Sequence, residues 1–159
     1  MSLPSLVLIT FAAVRAELGS AFSLDDLCSY TQQMRGKPII FAEEDLPTKI
    51  IGVCIPLADV DLILTRRQLD SVLLLATKLH EIAHLLLGHM RRAAYDEQTL
   101  TYAEYCASEA DATGIAHELQ RRSKQEHEAE SLAMLIMGSV FAYQHHTPLY
   151  AEHLYGHSR

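Results

Sequence analysis

The alternation of apolar and polar positions predicts two short helices at the start of the chain. Apolar residues recur at helical spacing from about Ser5 to Leu18, and Gly19 ends the run. Ser23 is a typical N-cap residue, and the helix that it begins is expected to end at about Arg35, with Gly36 just beyond. The first 36 residues are therefore expected to be mainly helical.

Between residues 37 and 66 the pattern changes to short apolar runs separated by turns. Pro38–Phe41 predicts an extended segment, and the polar run Glu43–Pro47 predicts a loop. Lys49–Ile55 is typical of a strand covered on both faces, whereas Asp59–Leu64 alternates like a half-exposed strand. The short connection between these two strands predicts that they pair antiparallel.

After the predicted strands, the chain shows three helical patterns and no further strand pattern. From about Gln68 to Leu87 the residues are apolar almost all the way round, which predicts a central buried helix that ends at Gly88. Tyr95–Thr101 is polar and turn-like. Two further helices are expected at about Tyr102–Arg121 and Lys124–His145.

These elements predict an α+β fold in a single domain, residues 1–159. A small antiparallel or mixed sheet of about three strands would pack on the buried helix. The expected parts are N-terminal helices (1–36), the sheet (37–66), a helical part (67–146) and a tail without a strong pattern (147–159).

The buried helix carries the main chemical signal, His80, Glu81 and His84 in the spacing H-E-x-x-H. Residues four apart in a helix differ by only about 40° in rotation, so both imidazoles can bind one metal ion. Glu81 lies beside them and can accept a proton from water, as a zinc hydrolase requires. Burying these polar groups without a partner would be costly, which favours the metal site over a chance match.

A catalytic zinc ion usually takes a third protein ligand. The metzincin pattern would place glycine and histidine where this chain has Leu87 and Met90, so that class is excluded. His89 lies about 180° from His80 if the helix continues, which favours a cap or surface position for it.

Two carboxylates on later helices are candidates for the third ligand. Glu128 shares a helix face with Leu132, Leu135 and Ser139, so it is expected to point toward the core, where it would need a cation. Glu109 is the alternative, on a face that it shares with small residues. Either carboxylate could instead be an ordinary exposed helix charge, and the pattern favours Glu128 only slightly.

Composition and charge narrow the function classes. The chain is 49% hydrophobic and 21% charged, and its net charge is 13 − 20 = −7. Without a basic stripe, direct nucleic-acid binding is not expected. No apolar run reaches membrane-spanning length without charges, and no basic segment precedes the apolar start. The three cysteines lack C-x-x-C spacing, which favours free thiols in a cytoplasmic protein.

The chain resembles the ImmA/IrrE-type metallopeptidases. The resemblance rests on the segment His80–His89, on the pair of strands before it, and on a later Glu-x-Glu-Ala element, Glu126–Ala133. Glu130 and Leu132 stand where the family has Asp or Asn and Phe. The resemblance implies a zincin-like fold, a gluzincin-like ligand set completed by Glu128, and cleavage of a helix-turn-helix repressor, often encoded nearby in a mobile element.

These expectations combine into a zinc peptidase that binds one zinc ion through His80, His84 and Glu128 and uses Glu81 as general base and then acid. Asp111 or Glu130 could accept a hydrogen bond from a ligand histidine. An oxyanion donor is expected among five residues: Tyr95, Tyr102, Tyr105, Tyr143 and His145.

Two alternative functions and one question about the sheet stay open at this point. The domain could be a zinc-stabilised binding module that sequesters a partner protein without cleaving it, or a toxin component with another target. The strand Asp59–Leu64 could be the sheet edge to which an extended peptide adds, or a plain edge protected by its aspartates.

Overall fold

A small sheet packs against the helix of the two histidines in the computed structural model, which describes residues 4–46, 50–89 and 115–146, with side chains in the last range from Lys124 onward. The described residues form an α+β arrangement with a mixed three-stranded sheet, as the sequence predicts. In chain order the elements are α1 (Ser5–Leu18), α2 (Leu24–Arg35), β1 (Ile39–Glu44), β2 (Gly52–Pro56), β3 (Asp61–Arg66), α3 (Ser71–Leu87) and α4 (Ile115–His146).

The two N-terminal helices begin and end where the sequence predicts. At the start of α2, the Ser23 hydroxyl accepts a hydrogen bond from the Asp26 N–H at 3.0 Å, and the Asp26 carboxylate accepts one from the Ser23 N–H at 2.9 Å. This reciprocal capping satisfies two N–H groups that the helix leaves unpaired. Gly36 ends the helix with φ +70°, a conformation that costs glycine little.

The strand order is β1-β3-β2, with β3 parallel to β1 and antiparallel to β2. The predicted antiparallel pairing of β2 with β3 is confirmed. The expectation that Asp59–Leu64 lies at the sheet edge is wrong, because β3 is the central strand and is mostly buried. Asp61, expected to protect an exposed edge, is fully buried; it binds Arg35 at 2.7 Å and Lys37 at 3.2 Å. Those two cations compensate its charge.

Helix α3 contacts the sheet and the three other described helices. It packs against α4, β2 and β3, and also against α1 and α2. It begins after the N-cap Asp70, slightly later than the sequence predicts, and its first turn is exposed while the segment from Thr77 to Leu87 is largely buried. Two of its residues, Leu79 and Ile82, are among the largest fully buried apolar side chains of the described structure, together with Phe22, Leu27, Ile63, Leu132 and Ile136.

The last described helix, α4, is continuous from Ile115 to His146. The predicted break between Arg121 and Lys124 is therefore wrong. The residues between them are Arg122 and Ser123, neither of which breaks a helix as glycine or proline would, and serine is only a slightly poorer helix former. The predicted turn Tyr95–Thr101, the beginning of the predicted helix from Tyr102 and the tail 147–159 lie outside the described residues. Among the helices that the structure describes, none has the length and hydropathy needed to cross a membrane.

Candidate metal centre

The two histidines of α3 lie one above the other, as their spacing predicts. Their rings meet edge to face with centroids 4.8 Å apart, and the two Nε2 atoms are 3.1 Å apart. The His84 side chain is 9% exposed and that of His80 is 27% exposed. The pair therefore lies at the boundary between the core and solvent, where a ligand could reach it.

A carboxylate from α4 completes this group. Glu126 places Oε2 3.0 Å from His80 Nε2 and Oε1 3.2 Å from His84 Nε2. His80, His84 and Glu126 thus form a group that could hold a metal ion. In tetrahedral zinc coordination with bonds of about 2.0–2.1 Å, neighbouring ligand atoms lie about 3.3 Å apart. Each imidazole here contacts a different oxygen of Glu126, and one ligand atom from each of the three residues lies within 4.8 Å of the other two.

The chemistry of the three groups fits a shared cation. Neutral imidazole presents a lone pair at one ring nitrogen, and an ionised carboxylate only accepts hydrogen bonds. If both imidazoles donated to Glu126 instead, two N–H groups would meet at nitrogens only 3.1 Å apart. One divalent cation between the three atoms removes this conflict.

The electrostatics of the group follow from the same contacts. The imidazoles of His80 and His84 beside its oxygens hold the pKa of Glu126 well below its usual range. Burial lowers the pKa of His80, but the hydrogen bond to Glu126 and the charges of Glu81, Glu126 and Glu130 outweigh it, so the net shift is upward. The carboxylate is therefore ionised at neutral pH, and protons compete with a metal ion for His80.

Glu128, the third ligand that the sequence favours, contacts a different residue. Its Oε2 lies 3.1 Å from His89 Nε2, and its side chain is only 7% exposed. The helical pattern correctly predicts that Glu128 is buried, but the group around His80 and His84 contains Glu126 instead. A two-residue step turns a helix by about 200°, so the two glutamates leave α4 on different sides. Glu109 lies outside the described residues.

His89 takes part in the helix C-cap, one of the two positions that the sequence favours for it, but its side chain is buried and does not lie on the surface. Gly88 ends α3 with φ +69°, and the next N–H, that of His89, returns to the carbonyl of His84 at 3.1 Å. This is a Schellman turn, which reverses the chain over the last helical turn. It brings the His89 ring against His84, with their Nδ1 atoms 3.0 Å apart.

Glu81 lies on the side of α3 that faces β2. It is 7% exposed, and its carboxylate accepts a hydrogen bond from the backbone N–H of Cys54. Burial raises the pKa of Glu81, while the nearby His84 and His80 oppose the shift. The carboxylate thus lies next to the two imidazoles and outside the group that could hold a metal ion, a position that a general base would need.

Gly52 allows β2 to approach this glutamate closely. A Cβ atom at that position would overlap Thr77 Cγ2 and would lie 3.1 Å from Glu81 Oε1. The sequence shows the glycine but not this packing role, which depends on how the sheet lies across α3.

Gly52→Ala is therefore expected to destabilise the protein by about 1–3 kcal/mol, as overpacked cores do. Thr77→Ser removes the overlapping methyl but keeps the hydroxyl that donates to the Leu73 carbonyl at 2.7 Å. The double variant should recover a large part of the loss, measured as the free energy of unfolding in urea. Equal stability of Gly52→Ala and wild type would contradict the close packing.

Three of the other predicted site residues, Glu130, Tyr143 and His145, lie in the part of the chain that the structure describes. Glu130 is exposed and acts on His80 electrostatically. Tyr143 and His145 lie about 25 Å or more along α4 from Glu126, too far to serve as oxyanion donors for this group. Four other candidates, Asp111, Tyr95, Tyr102 and Tyr105, lie outside the described residues.

The comparisons with known proteins identify no relative: no family model, no curated protein and no solved structure matches this chain. The resemblance to ImmA/IrrE-type peptidases thus rests on the residues quoted above. Glu126 and His89 are the two members of the centre that sequence reasoning did not assign. The signals for them were the first glutamate of Glu-x-Glu-Ala and the helix-ending Gly88.

Proposed function

We propose that this chain is a zinc-dependent peptidase with a zincin-like arrangement, related to the ImmA/IrrE type. The observation that carries the proposal is the convergence of His80, His84 and Glu126 within 3.0–3.2 Å, with Glu81 buried beside them. Two imidazoles and a carboxylate are the ligand set of several catalytic zinc sites, and a free glutamate in H-E-x-x-H is their general base.

Each side chain has a defined task in this proposal. A zinc ion bound here would supply Lewis acidity toward water and a peptide carbonyl. His80, His84 and Glu126 would hold it, and Glu81 would take the proton from the attacking water and deliver it to the leaving amine nitrogen. Because the Cys54 N–H binds the Glu81 carboxylate, the side chain keeps its orientation between the two proton transfers.

The proposed substrate is a helix-turn-helix repressor in the cytoplasm. This part of the proposal rests on the resemblance in His80–His89 and Glu126–Ala133. The net charge of −7 suits encounter with a basic DNA-binding partner.

Incubation of the zinc-loaded protein with a helix-turn-helix regulator, chosen from the genes next to its own, tests this function. Intact-mass measurement should show two fragments whose masses sum to the substrate plus one water. Chelation should stop their formation, and added zinc should restore it. An uncut regulator with zinc-loaded protein would contradict the proposed substrate, and absence of zinc binding would contradict the proposed centre.

Zinc binding is expected to weaken steeply on acidification. The metal binds neutral imidazole, and the pKa of His80 is raised, so protons begin to compete at a higher pH than for an ordinary histidine. Below that pKa, affinity should fall about tenfold per pH unit for each proton displaced. Above it, the dependence should level off. Chelator competition between about pH 5 and pH 8 measures this profile, and a flat profile would contradict imidazole ligation.

A zinc-stabilised binding module is the second candidate function. It is favoured by the position of the ligands, since His80 and His84 lie on α3 whereas Glu126 lies on α4. A metal ion held by these residues would cross-link two helices and stabilise the fold even without hydrolysis.

A further inference from the structure

We propose that His89 and Glu128 form a hydrogen-bonded chain behind His84 that fixes its ring for metal binding. The inference rests on the proposed metal centre and extends it to two residues that do not belong to the group of three ligands. The chain runs from His84 Nδ1 to His89 Nδ1 at 3.0 Å and from His89 Nε2 to Glu128 Oε2 at 3.1 Å.

The positions of the protons follow from the tautomer of His84, the first residue of the hydrogen-bonded chain. When His84 uses Nε2 as a metal ligand, its one ring proton must be on Nδ1. That N–H then donates to the lone pair of His89 Nδ1, which places the proton of neutral His89 on Nε2. The His89 Nε2–H in turn donates to the Glu128 carboxylate. Each of the two contacts in the chain thus contains one proton, with a single proton on each ring and Glu128 as the final acceptor.

Burial makes this chain more than a surface contact. The side chains of His89 and Glu128 are 5% and 7% exposed, and His84 is 9% exposed. Water therefore has little access to replace a lost partner, so a broken link would leave a buried polar group unsatisfied. Lys124 lies 3.8 Å from the other carboxylate oxygen of Glu128 and places a positive charge at the outer end of the chain.

The fold determines the position of His89 independently of the metal. The turn at Gly88 ties the His89 N–H to the His84 carbonyl, so the two rings are held on the same side of the helix end. Glu128 comes from α4, two residues after Glu126. The chain therefore links the same two helices as the metal group, but on the buried side.

Metal-bound histidines commonly donate their second N–H to a fixed acceptor, and loss of that acceptor typically lowers metal affinity about 10–100-fold. His89 serves as this acceptor for His84, and Glu128 orients His89. Both are positioning residues, since neither is placed to contact the metal ion in this arrangement.

The test measures zinc dissociation constants by competition with a chromophoric chelator. His89→Leu should weaken binding about 10–100-fold while the stoichiometry stays at one ion. His89→Gln should recover part of this loss, because the amide can accept from His84 and donate to Glu128. His127→Leu, at an exposed position of α4, provides the control, with unchanged affinity expected.

His89→Leu leaves Glu128 buried without its partner and could fail to fold. The variant His89→Leu/Glu128→Leu removes both polar groups and avoids that cost. The loss of zinc affinity in this double variant should match the loss in His89→Leu or Glu128→Leu alone, because both residues act on His84 through the same hydrogen-bonded chain. Additive losses would overturn the chain and would indicate that Glu128 acts separately.

A spectroscopic measurement separates positioning from general stability. In the zinc-loaded protein labelled with ¹⁵N-histidine, His84 should show a proton on Nδ1 that is protected from exchange with solvent. The protection should disappear in the double leucine variant. If wild type binds no zinc, the proposed function fails; if wild type and His89→Leu bind zinc equally, only the positioning chain fails.

Discussion

Replacement of Glu81 by glutamine is expected to abolish peptide cleavage by the zinc-loaded protein and to leave zinc affinity within a few-fold of wild type. Glutamine cannot take a proton from water, and general acid–base groups typically contribute about 10²–10⁴-fold to a rate. Because Glu81 serves in both proton transfers, the loss should lie toward the upper end of that range. The amide oxygen of the introduced glutamine can still accept the Cys54 N–H, so β2 should keep its position.

This substitution separates the two candidate functions. A peptidase loses its effect on the regulator when Glu81 is replaced, whereas a binding module retains it, because metal and fold are intact in both cases. Cleavage is measured by intact mass and binding by calorimetry. Glu44→Gln is the control, an exposed glutamate of β1 whose side chain is 53% exposed and lies 3.8 Å from Arg67. An undiminished effect of the Glu81→Gln variant on the regulator would rule out hydrolysis as its cause.

The second large effect is expected at the third ligand. Glu126→Gln should weaken zinc binding on the order of a hundredfold, since structural zinc sites gain about 10–16 kcal/mol from four ligands and each contributes a few kcal/mol. An amide oxygen carries no charge and is a poorer zinc ligand than a carboxylate.

Glu128→Gln is the matched comparison, because it makes the same chemical change two residues away on α4. The glutamine can still accept from the His89 Nε2–H, so a loss of less than about tenfold is expected. Both affinities come from the same chelator competition. If Glu128→Gln removed zinc binding and Glu126→Gln did not, the ligand assignment implied by the ImmA/IrrE resemblance would be correct and the arrangement around Glu126 would be wrong.

Local sequence signals account for the accurate predictions. Ser23 and Gly36 define the ends of α2, and Gly88 defines the end of α3, because capping depends on residues within one helical turn. The spacing of His80 and His84 depends only on the helical repeat. The small sheet of the α+β fold could be predicted because short apolar runs alternate with turn residues in that part of the chain.

The inaccurate predictions mainly concern contacts between elements. The strand Asp59–Leu64 was expected at an edge because its aspartates suggested exposure, yet Arg35 and Lys37 allow Asp61 to be fully buried in the central strand. A periodicity argument cannot anticipate cations that arrive from an earlier part of the chain. The same limit applies to Gly52, whose role depends on the approach of β2 to α3.

By itself the sequence determined a helix with two imidazoles one turn apart and a neighbouring glutamate, since a helical repeat is a property of consecutive residues. Only the tertiary structure decided which later carboxylate meets them, because α4 can present Glu126 or Glu128 depending on its rotation and height against α3. In the same way, the turn at Gly88 brings the His89 ring against His84, a contact that the helical repeat does not predict. Our central physical claim is that one cation satisfies three otherwise competing acceptors at this helix contact; a pure protein that binds no divalent metal ion would refute it.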